Sequence, residues 1–428
     1  MPNSSSRRRN PAVARSVLVA CSGNVVEWFD FFAYAFAAIH FAAVFFPSGD
    51  ATSQLLKTAG IFAAGFLMRP IGAWFFGRLA DRRGRRASMV ASVTLMGVGS
   101  LLIAVLPTPD QVGLLAPALL LFARLLQGLS VGGEYGASAT FLSEATLPGR
   151  RGYYGSFQYA TMIGGQLLAS MVLTLLEHQL TAGEMRQWGW RVPFVIGAAG
   201  SLVALWARRA MPETVSAEVG REQLSGTLRG LLQHPRAVVV VFGLTAGTSL
   251  LFYTFTTYMQ KYLVNTAGLS AQVSSRVMTA ALFVFMILQP LFGLLADRVG
   301  RRRQMIVFSL FFVLATTPLL QALGRVRDGW TAFLLVITAL TGMTLYTAIS
   351  GVLKAELFPA GVRAIGVSFP YAIANALFGG TAEYLALWLK SQGHEGWFSW
   401  YVTAVCLGVL ACSVALPRHE SASHLDRA

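Results

Sequence analysis

The chain has 428 residues, of which 55% are hydrophobic and 12% are charged, and its formal net charge is +15. A soluble globular domain has roughly 25% charged residues, so this chain has too few charges to cover a soluble surface of its size. The composition therefore argues against a soluble enzyme, a disordered chain or a secreted disulfide scaffold, and it predicts an integral membrane protein.

Long apolar runs dominate the sequence. A helix needs about 20 mostly apolar residues to cross the hydrocarbon core of a membrane. Twelve such runs follow one another at 17–46, 54–77, 88–106, 113–142, 153–176, 192–208, 237–258, 276–296, 304–323, 331–356, 365–389 and 398–416. The first run is too long for a cleavable signal peptide and is followed by a second span. We therefore expect twelve transmembrane helices.

Lys and Arg residues are distributed unevenly between the two sides of these spans. With the N-terminus inside, 23 lie in inside segments, 8 lie in outside segments (Lys261 among them) and 3 lie within runs. Such a bias sets the orientation of a membrane protein, so both termini are expected in the cytoplasm. The arginine clusters lie between apolar runs and form no basic face with interleaved aromatic residues, so nucleic-acid binding is not expected.

The chain contains an internal repeat. Gly77-Arg-Leu-Ala-Asp81-Arg-Arg-Gly84-Arg85-Arg86 follows the second run, and Gly293-Leu-Leu-Ala-Asp297-Arg-Val-Gly300-Arg301-Arg302 follows the eighth, 216 residues later. Glu144 with Arg151 and Glu356 with Arg363 form a second related pair, offset by 212 residues. The predicted organisation is a tail (1–16), a six-helix half (17–208), a connecting loop (209–236), a second six-helix half (237–416) and a tail (417–428).

The repeated loop resembles the major facilitator superfamily. The segments 23–31, 66–72 and 124–135 are further similar to its metabolite:proton symporter family, and 54–60, 253–266 and 351–356 to the 2-oxoglutarate carriers within that family. The resemblance covers about residues 15 to 416. It implies an all-α membrane protein of two six-helix bundles with a substrate cavity between them. It also implies import of 2-oxoglutarate with protons across the bacterial inner membrane by alternating access.

Two acidic residues of the first run are candidates for proton coupling. Glu27 and Asp30 lie three residues apart, so a helix places them on one face. Two carboxylates that face one cavity resist double ionisation, which suits the loading and release of a proton. The alternative is that one of them permanently neutralises Arg69 or Arg124.

Arg124 begins a polar stripe in the fourth run that continues with Gln127. A charge within a span costs about 2.5–3.5 kcal/mol on insertion scales, so such residues are candidates for function. Arginine keeps its charge when buried and can hold a carboxylate through two parallel hydrogen bonds. We therefore expect Arg124 to bind a substrate carboxylate, with Gln127 as a further substrate ligand and Arg69 as a second cation.

The other expected substrate-binding residues lie in later runs: Gln158, Tyr159, Asn375 and Lys354. Gln158 and Tyr159 can hydrogen-bond a carboxylate or keto oxygen, with core packing as the alternative. Lys354 lies near the inner end of its run. Its alternatives to substrate contact are snorkelling to the membrane interface or pairing with Glu356 or Asp297.

The acidic residues of the repeated loops are expected to be gates, a role that the resemblance implies. Asp81 and Asp297 each end a run and can accept hydrogen bonds from backbone N–H groups at a neighbouring helix N-terminus. Such contacts exist only when the halves close on the inside, so they favour the outward-facing state. The remaining gate candidates are Arg85, Glu144, Arg151, Arg301, Glu356 and Arg363.

The expected driving force is the proton gradient, because the sequence has no P-loop for ATP. No cofactor, no metal site and no enzymatic activity are expected, since the six histidines are scattered and no catalytic set is clustered. Alternative cargoes are citrate, shikimate or a zwitterion such as proline or betaine. A transporter-like membrane sensor is the alternative from another class. We expect a monomer in the lipid bilayer.

Overall fold

The described part of the chain is helical. The computed structural model describes residues 11–83, 85–132, 149–209, 227–359 and 362–417, together with Tyr135, Ala139 and Ser143. For residues 11–23, 77, 78, 80–83, 85–89, 207–209 and 364 it describes the backbone only. Within these ranges no β-strand occurs.

Twelve principal helices follow one another within the described ranges. The first six are α1 (Pro11–Phe45), α2 (Ala51–Arg83), α3 (Arg85–Ala104), α4 (Leu115–Val131), α5 (Arg151–Gln179) and α6 (Val192–Arg209). The second six are α7 (Pro235–Asn265), α8 (Ala271–Val299), α9 (Arg301–Leu323), α10 (Gly329–Ala355), α11 (Arg363–Ala374, Asn375–Gly379 and Ala382–Ser391) and α12 (Glu395–Ala415). Short helices at Pro109–Val112, Ala182–Gln187 and Leu228–Leu231 lie in connections.

Each of the twelve apolar runs overlaps one of these helices. Among the residues with described side chains, nine helical stretches are long and apolar enough to cross a membrane, and α3 and α4 add shorter apolar helices. The predicted limits of the two halves fall partly outside the description, since residues 1–10, 210–226 and 418–428 are not covered.

The halves α1–α6 and α7–α12 meet mainly where α5 packs on α8 and α2 packs on α11. Gly152 in α5 lies against Gly293 in α8, and a Cβ on either glycine would lie 2.5 Å from the carbonyl oxygen of the other. Small residues of this kind let two helix backbones approach closely within a membrane. One cluster of buried apolar side chains continues through both halves, so polar groups inside it stand out.

Two helices of the second half widen locally into π-helical turns, at Thr254–Tyr258 in α7 and Asn375–Gly379 in α11. Such turns are frequent at functional sites. After its π turn α7 continues to Asn265, beyond the predicted end of the run at residue 258. Lys261, which the charge count assigns to an outside loop, therefore lies inside the helix.

Candidate functional site

Four cationic side chains are buried close to the surface where the halves meet. Arg69, Arg124, Lys261 and Lys354 are 3%, 0%, 1% and 0% exposed. Lys354 lies near the end of the molecule that carries the Asp297 loop, here called the loop end, and Lys261 lies near the opposite end, here called the far end. Buried charges inside a membrane protein are costly and mark pathways for ions or substrates. The four cations therefore define the candidate site.

Arg124 has unused hydrogen-bonding capacity. Its guanidinium lies 4.4 Å from the ring centre of Tyr34 and 4.8 Å from that of Phe31. Nη1 donates to Oε1 of Gln127 at 2.6 Å. Nε and Nη2 are buried and have no hydrogen-bond partner among the described residues. Such a group needs an acceptor, and a carboxylate supplies two.

A polar chain connects Arg124 to the interior of the first half. Gln127 Nε2 donates to Oγ of Ser100 at 2.8 Å, and Ser100 lies beside the carboxylate of Asp30. Ser201 donates to Oδ2 of Asp30 at 3.0 Å. The sequence predicted Gln127 as a substrate ligand, but here its side chain holds Arg124 in place.

Asp30 turns away from the space between the halves. It is 0% exposed and packs against Gly197 in α6, where a Cβ would overlap Oδ1. The prediction that Glu27 and Asp30 face one shared cavity is therefore corrected for Asp30, because the missing side chain at Gly197 leaves room for its carboxylate within the first half. Glu27 is buried in the same helix, 3% exposed.

Arg69 lies in a cage of aromatic rings at the contact between the halves. Its guanidinium is 3.9 Å from the ring centre of Phe66 and 4.5 Å from that of Phe31. Nη1 lies 3.5 Å from the hydroxyl of Tyr253 in the second half. A cavity of about 10 Å³, also lined by Tyr371, lies beside Arg69. The space has room for about one water molecule, so a larger ligand requires the halves to separate.

Lys354 does not reach the membrane interface. Nζ donates to Oγ of Ser350 at 2.9 Å and to the hydroxyl of Tyr135, in the first half, at 3.1 Å. It lies 4.3 Å from the ring centre of Tyr371, which stacks on Tyr135 with 3.7 Å between centroids. Snorkelling is therefore excluded in this arrangement, and Lys354 joins the two halves through neutral and aromatic partners.

A buried ion pair lies within the second half. Nζ of Lys261 in α7 lies 2.6 Å from Oε1 and 2.7 Å from Oε2 of Glu383 in α11. In the first half, Tyr34 lies within electrostatic range of Glu383 and Arg124 within that of Lys261. Removing one member of such a pair costs roughly 3–5 kcal/mol because the other charge is left without compensation.

The remaining predicted ligands are buried but differ in their surroundings. Asn375 is 0% exposed, and neither its Nδ2 nor its Oδ1 has a hydrogen-bond partner in the described part of the chain. Gln158 donates to the backbone oxygen of Tyr135 at 3.4 Å. Tyr159 packs edge-on against the ring of Phe252. Asn375 is thus the strongest candidate of the three for a ligand contact.

The loop end is closed by the predicted gate of the second half. The Asp297 carboxylate accepts hydrogen bonds from the backbone N–H groups of Gly152 at 2.8 Å and Tyr153 at 3.0 Å. Arg301 lies 2.6 Å from Oε1 of Glu356. The two bonds of Asp297 join α8 to the N-terminus of α5, as predicted for this carboxylate, whereas the contact of Arg301 with Glu356 lies within the second half.

The other gate candidates have different positions. Arg151 and Arg363 are buried, 8% and 2% exposed, and Nε of Arg363 donates to the backbone oxygen of Phe358 at 3.2 Å. Glu144 and the side chains of Asp81 and Arg85 lie outside the described residues.

The far end is also closed between the halves. Ser275 in α8 donates to Oε1 of Glu177 in α5 at 3.0 Å, and His40 in α1 lies 2.8 Å from the same oxygen. Asn265 donates to Thr52 at 3.2 Å. Since contacts between the halves are present at both ends, the structure is an occluded arrangement.

Two members of this site, Lys261 and Glu383, are not among the predicted ligands. The charge count assigns Lys261 to a loop, although Tyr253, Thr257 and Lys261 follow a four-residue step that marks one face of a longer helix. Glu383 is an acid within a predicted span, and that position alone marks it as a candidate. No sequence signal pairs it with Lys261, because their contact spans 122 residues.

The family model described as Major Facilitator Superfamily matches residues 20–382. Alpha-ketoglutarate permease of Escherichia coli (strain K12) is 56% identical over 98% of this chain and 96% of its own. The citrate-proton symporter of Salmonella typhi is 33% identical over 96% of both chains. Among solved structures, the xylose transporter XylE from E. coli, in its partially occluded inward-open conformation, has a TM-score of 0.73 at 18% identity and covers 95% of this chain and 98% of that chain. These matches confirm the predicted fold class.

Proposed function

The chain belongs to the major facilitator superfamily, and from that premise we propose that it imports 2-oxoglutarate with protons across the bacterial inner membrane by alternating access. It is a multi-pass membrane transporter and not an enzyme. The cargo is supported by the 56% identity to alpha-ketoglutarate permease over nearly the full length of both chains. It is also supported by the charges that the structure buries between the halves.

The observation that carries the proposal is the unused donor capacity of Arg124. Two of its buried donor atoms, Nε and Nη2, have no hydrogen-bond partner in the part of the chain that is described. Arg69 has the same two donor atoms buried and without such a partner. A dicarboxylate offers four acceptor oxygens and two negative charges, and it compensates both guanidinium groups when it binds.

Proton coupling follows from the charge of this cargo. Moving one negative charge into a negatively charged interior costs about 2.3 kcal/mol per 100 mV, and a proton carried with it offsets that cost. Asp30 and Glu27 are buried acids of α1, and they are the proposed proton carriers. Asp30 is connected to Arg124 by a chain of polar side chains, Ser100 and Gln127.

Alternating access is supported by the closed space between the halves. The cavity beside Arg69 is about 10 Å³, which is too small for a five-carbon dicarboxylate. Entry of the cargo therefore requires the contacts at one end to open while those at the other end hold. We propose that the loop end faces the cytoplasm, which the excess of Lys and Arg in the loops on one side supports. We propose that one chain in the bilayer completes this cycle as a monomer.

The test of the cargo is uptake of labelled 2-oxoglutarate into proteoliposomes that contain the purified protein. Unlabelled 2-oxoglutarate, citrate, shikimate, proline and betaine serve as competitors. We expect 2-oxoglutarate to compete best and the zwitterions to compete least, because a zwitterion cannot compensate two buried guanidinium groups. Stronger competition by citrate or betaine than by 2-oxoglutarate would reject the cargo while keeping the transporter.

A further inference from the structure

The buried ion pair of Lys261 and Glu383 has no part in the proposed binding of cargo by Arg124 and Arg69. It also has no part in the proposed proton transfer by Glu27 and Asp30. Both oxygens of Glu383 bind the same ammonium group, at 2.6 and 2.7 Å. The two side chains are 1% and 3% exposed. A lysine ammonium has three N–H donors, so one donor of Lys261 has no partner among the described residues.

The surroundings of the pair connect it to the proposed cargo site. Besides Lys261, its hydrogen-bond partner, Tyr258 on α7 and Tyr34 on α1 lie within electrostatic range of Glu383. Arg124 on α4 lies within electrostatic range of Lys261. Tyr384, next to Glu383, contacts Gly60 of α2, where a Cβ would lie 3.6 Å from its ring. On α12, Glu395 faces Tyr258.

The cost of a net charge inside the membrane limits what this pair can bind. The pair is neutral as it stands, and a substrate carboxylate that approached Lys261 would place two anions on one ammonium in a medium of low dielectric. If Glu383 first accepts a proton, its carboxylate becomes a neutral carboxyl group. Lys261 can then bind the substrate carboxylate, and the buried site stays neutral before and after the exchange.

We propose that Glu383 takes up one proton when Lys261 transfers its ion pair from Glu383 to a carboxylate of the cargo. The step is a proton transfer from solvent to an Oε atom of Glu383, with the ion pair of Lys261 exchanged and no other bond broken. Arg124 holds the other carboxylate from the first half. The inference rests on the proposed function and adds a second-half site that couples one proton to one carboxylate.

The test compares two transport modes of Glu383→Gln, which mimics the protonated acid. One mode is accumulation of labelled 2-oxoglutarate driven by a pH gradient, and the other is exchange of labelled for unlabelled 2-oxoglutarate without any gradient. We expect accumulation to fall at least tenfold while exchange stays within about threefold of the wild type. The exchange rate of the variant is also expected to depend less steeply on pH than that of the wild type.

A control with the same change of charge is Glu184→Gln, at an exposed glutamate in the short helix Ala182–Gln187. It is expected to leave accumulation and exchange unchanged. The double variant Lys261→Gln with Glu383→Gln separates coupling from a structural role. If the pair were purely structural, the double variant would regain the gradient-driven accumulation that Glu383→Gln loses. That result would overturn the proposal.

A measurement on the wild type keeps the proposal testable if Glu383→Gln fails to fold. Addition of 2-oxoglutarate to the detergent-solubilised protein in weak buffer should take up protons from solution, and Lys261→Gln with Glu383→Gln should take up about one proton fewer per cargo. Equal proton uptake by both proteins rejects the role of Glu383. If the wild type transports no 2-oxoglutarate at all, the proposed function fails instead.

Discussion

The carboxylate of Asp297 on α8 accepts the backbone N–H of Gly152 on α5 at 2.8 Å, and this bond joins the two halves at the loop end. The acceptor meets the first residues of a helix, where unpaired N–H groups and the helix dipole favour an anion. Gly152 also permits the contact sterically, since a Cβ there would lie 2.7 Å from Oδ1 of Asp297. The bond exists only while the loop end is closed.

Asp297→Asn should weaken closure of the loop end more than it weakens cargo binding. The substitution removes the charge that strengthens two backbone hydrogen bonds, and bonds to a charged group contribute about 1.5–3 kcal/mol each. The population closed at the loop end should therefore fall by roughly tenfold or more, since 1.4 kcal/mol is a factor of ten in an equilibrium constant. Turnover in proteoliposomes and cargo affinity measure the two effects separately.

The exposed acid Asp110 provides the control for that gate, since Asp110→Asn changes the same charge away from the interface between the halves. It should transport at the wild-type rate. Lost affinity with normal turnover in Asp297→Asn would contradict the role of a gate.

Arg124→Ala should abolish uptake of 2-oxoglutarate while the protein remains in the membrane. The substitution removes a charged ligand and leaves Gln127 without its guanidinium partner. Charge-assisted hydrogen bonds contribute about 1.5–3 kcal/mol each, so the loss of two corresponds to a reduction in affinity of roughly 100-fold or more. Arg229→Ala, at an exposed arginine, is the control. Retained uptake with normal affinity in Arg124→Ala would refute this role.

Gly197→Ala should disturb Asp30 without changing the acid itself. The added Cβ would overlap Oδ1 of Asp30, so the carboxylate must leave the position in which Ser201 binds it. We expect Gly197→Ala and Asp30→Asn each to lose gradient-driven uptake, because both remove the bound carboxylate of Asp30. Gly408→Ala in α12 is the matched control, because nothing lies within 4 Å of a Cβ there. Unchanged pH dependence of uptake in Gly197→Ala and in Asp30→Asn would argue against Asp30 as a proton carrier.

Lys354→Met should raise the KM for 2-oxoglutarate at least tenfold if the lysine contacts the cargo. The substitution keeps much of the side-chain volume but removes the ammonium that the tyrosine rings surround. Tyr135→Phe, which removes one hydroxyl partner of Lys354, should have a smaller effect of about threefold, because the bond to Ser350 and the aromatic ring beside the ammonium remain. A larger effect of Tyr135→Phe than of Lys354→Met would assign the contact to the tyrosine.

The sequence predicted the helices well because a span must be long and apolar whatever it packs against. Every predicted run overlaps a helix, and the repeat pointed to Asp297, whose carboxylate binds the N-terminus of α5. The predicted end of the seventh run, at residue 258, was wrong because Lys261 interrupts the apolar pattern there. A buried partner, Glu383, compensates that charge within the helix bundle.

The orientation of Asp30 could not be predicted from spacing alone. Three-residue spacing places Glu27 and Asp30 on one side of α1, but which neighbour that side meets depends on a gap at Gly197, 167 residues away. The partners of Lys354 could not be predicted for the same reason, since Tyr135 and Tyr371 come from different halves. Contacts between distant segments decide these positions, and a single sequence carries no direct record of them.

The central claim is that buried cations and acids carry a carboxylate together with a proton. It is tested most directly by the final accumulation of labelled 2-oxoglutarate in proteoliposomes at increasing pH gradients, alkaline inside, with and without a protonophore. We predict that the internal concentration exceeds the external one, rises with the gradient and collapses to equality when the protonophore is added. Accumulation that is independent of the gradient, or uptake that never exceeds the external concentration, would contradict the claim.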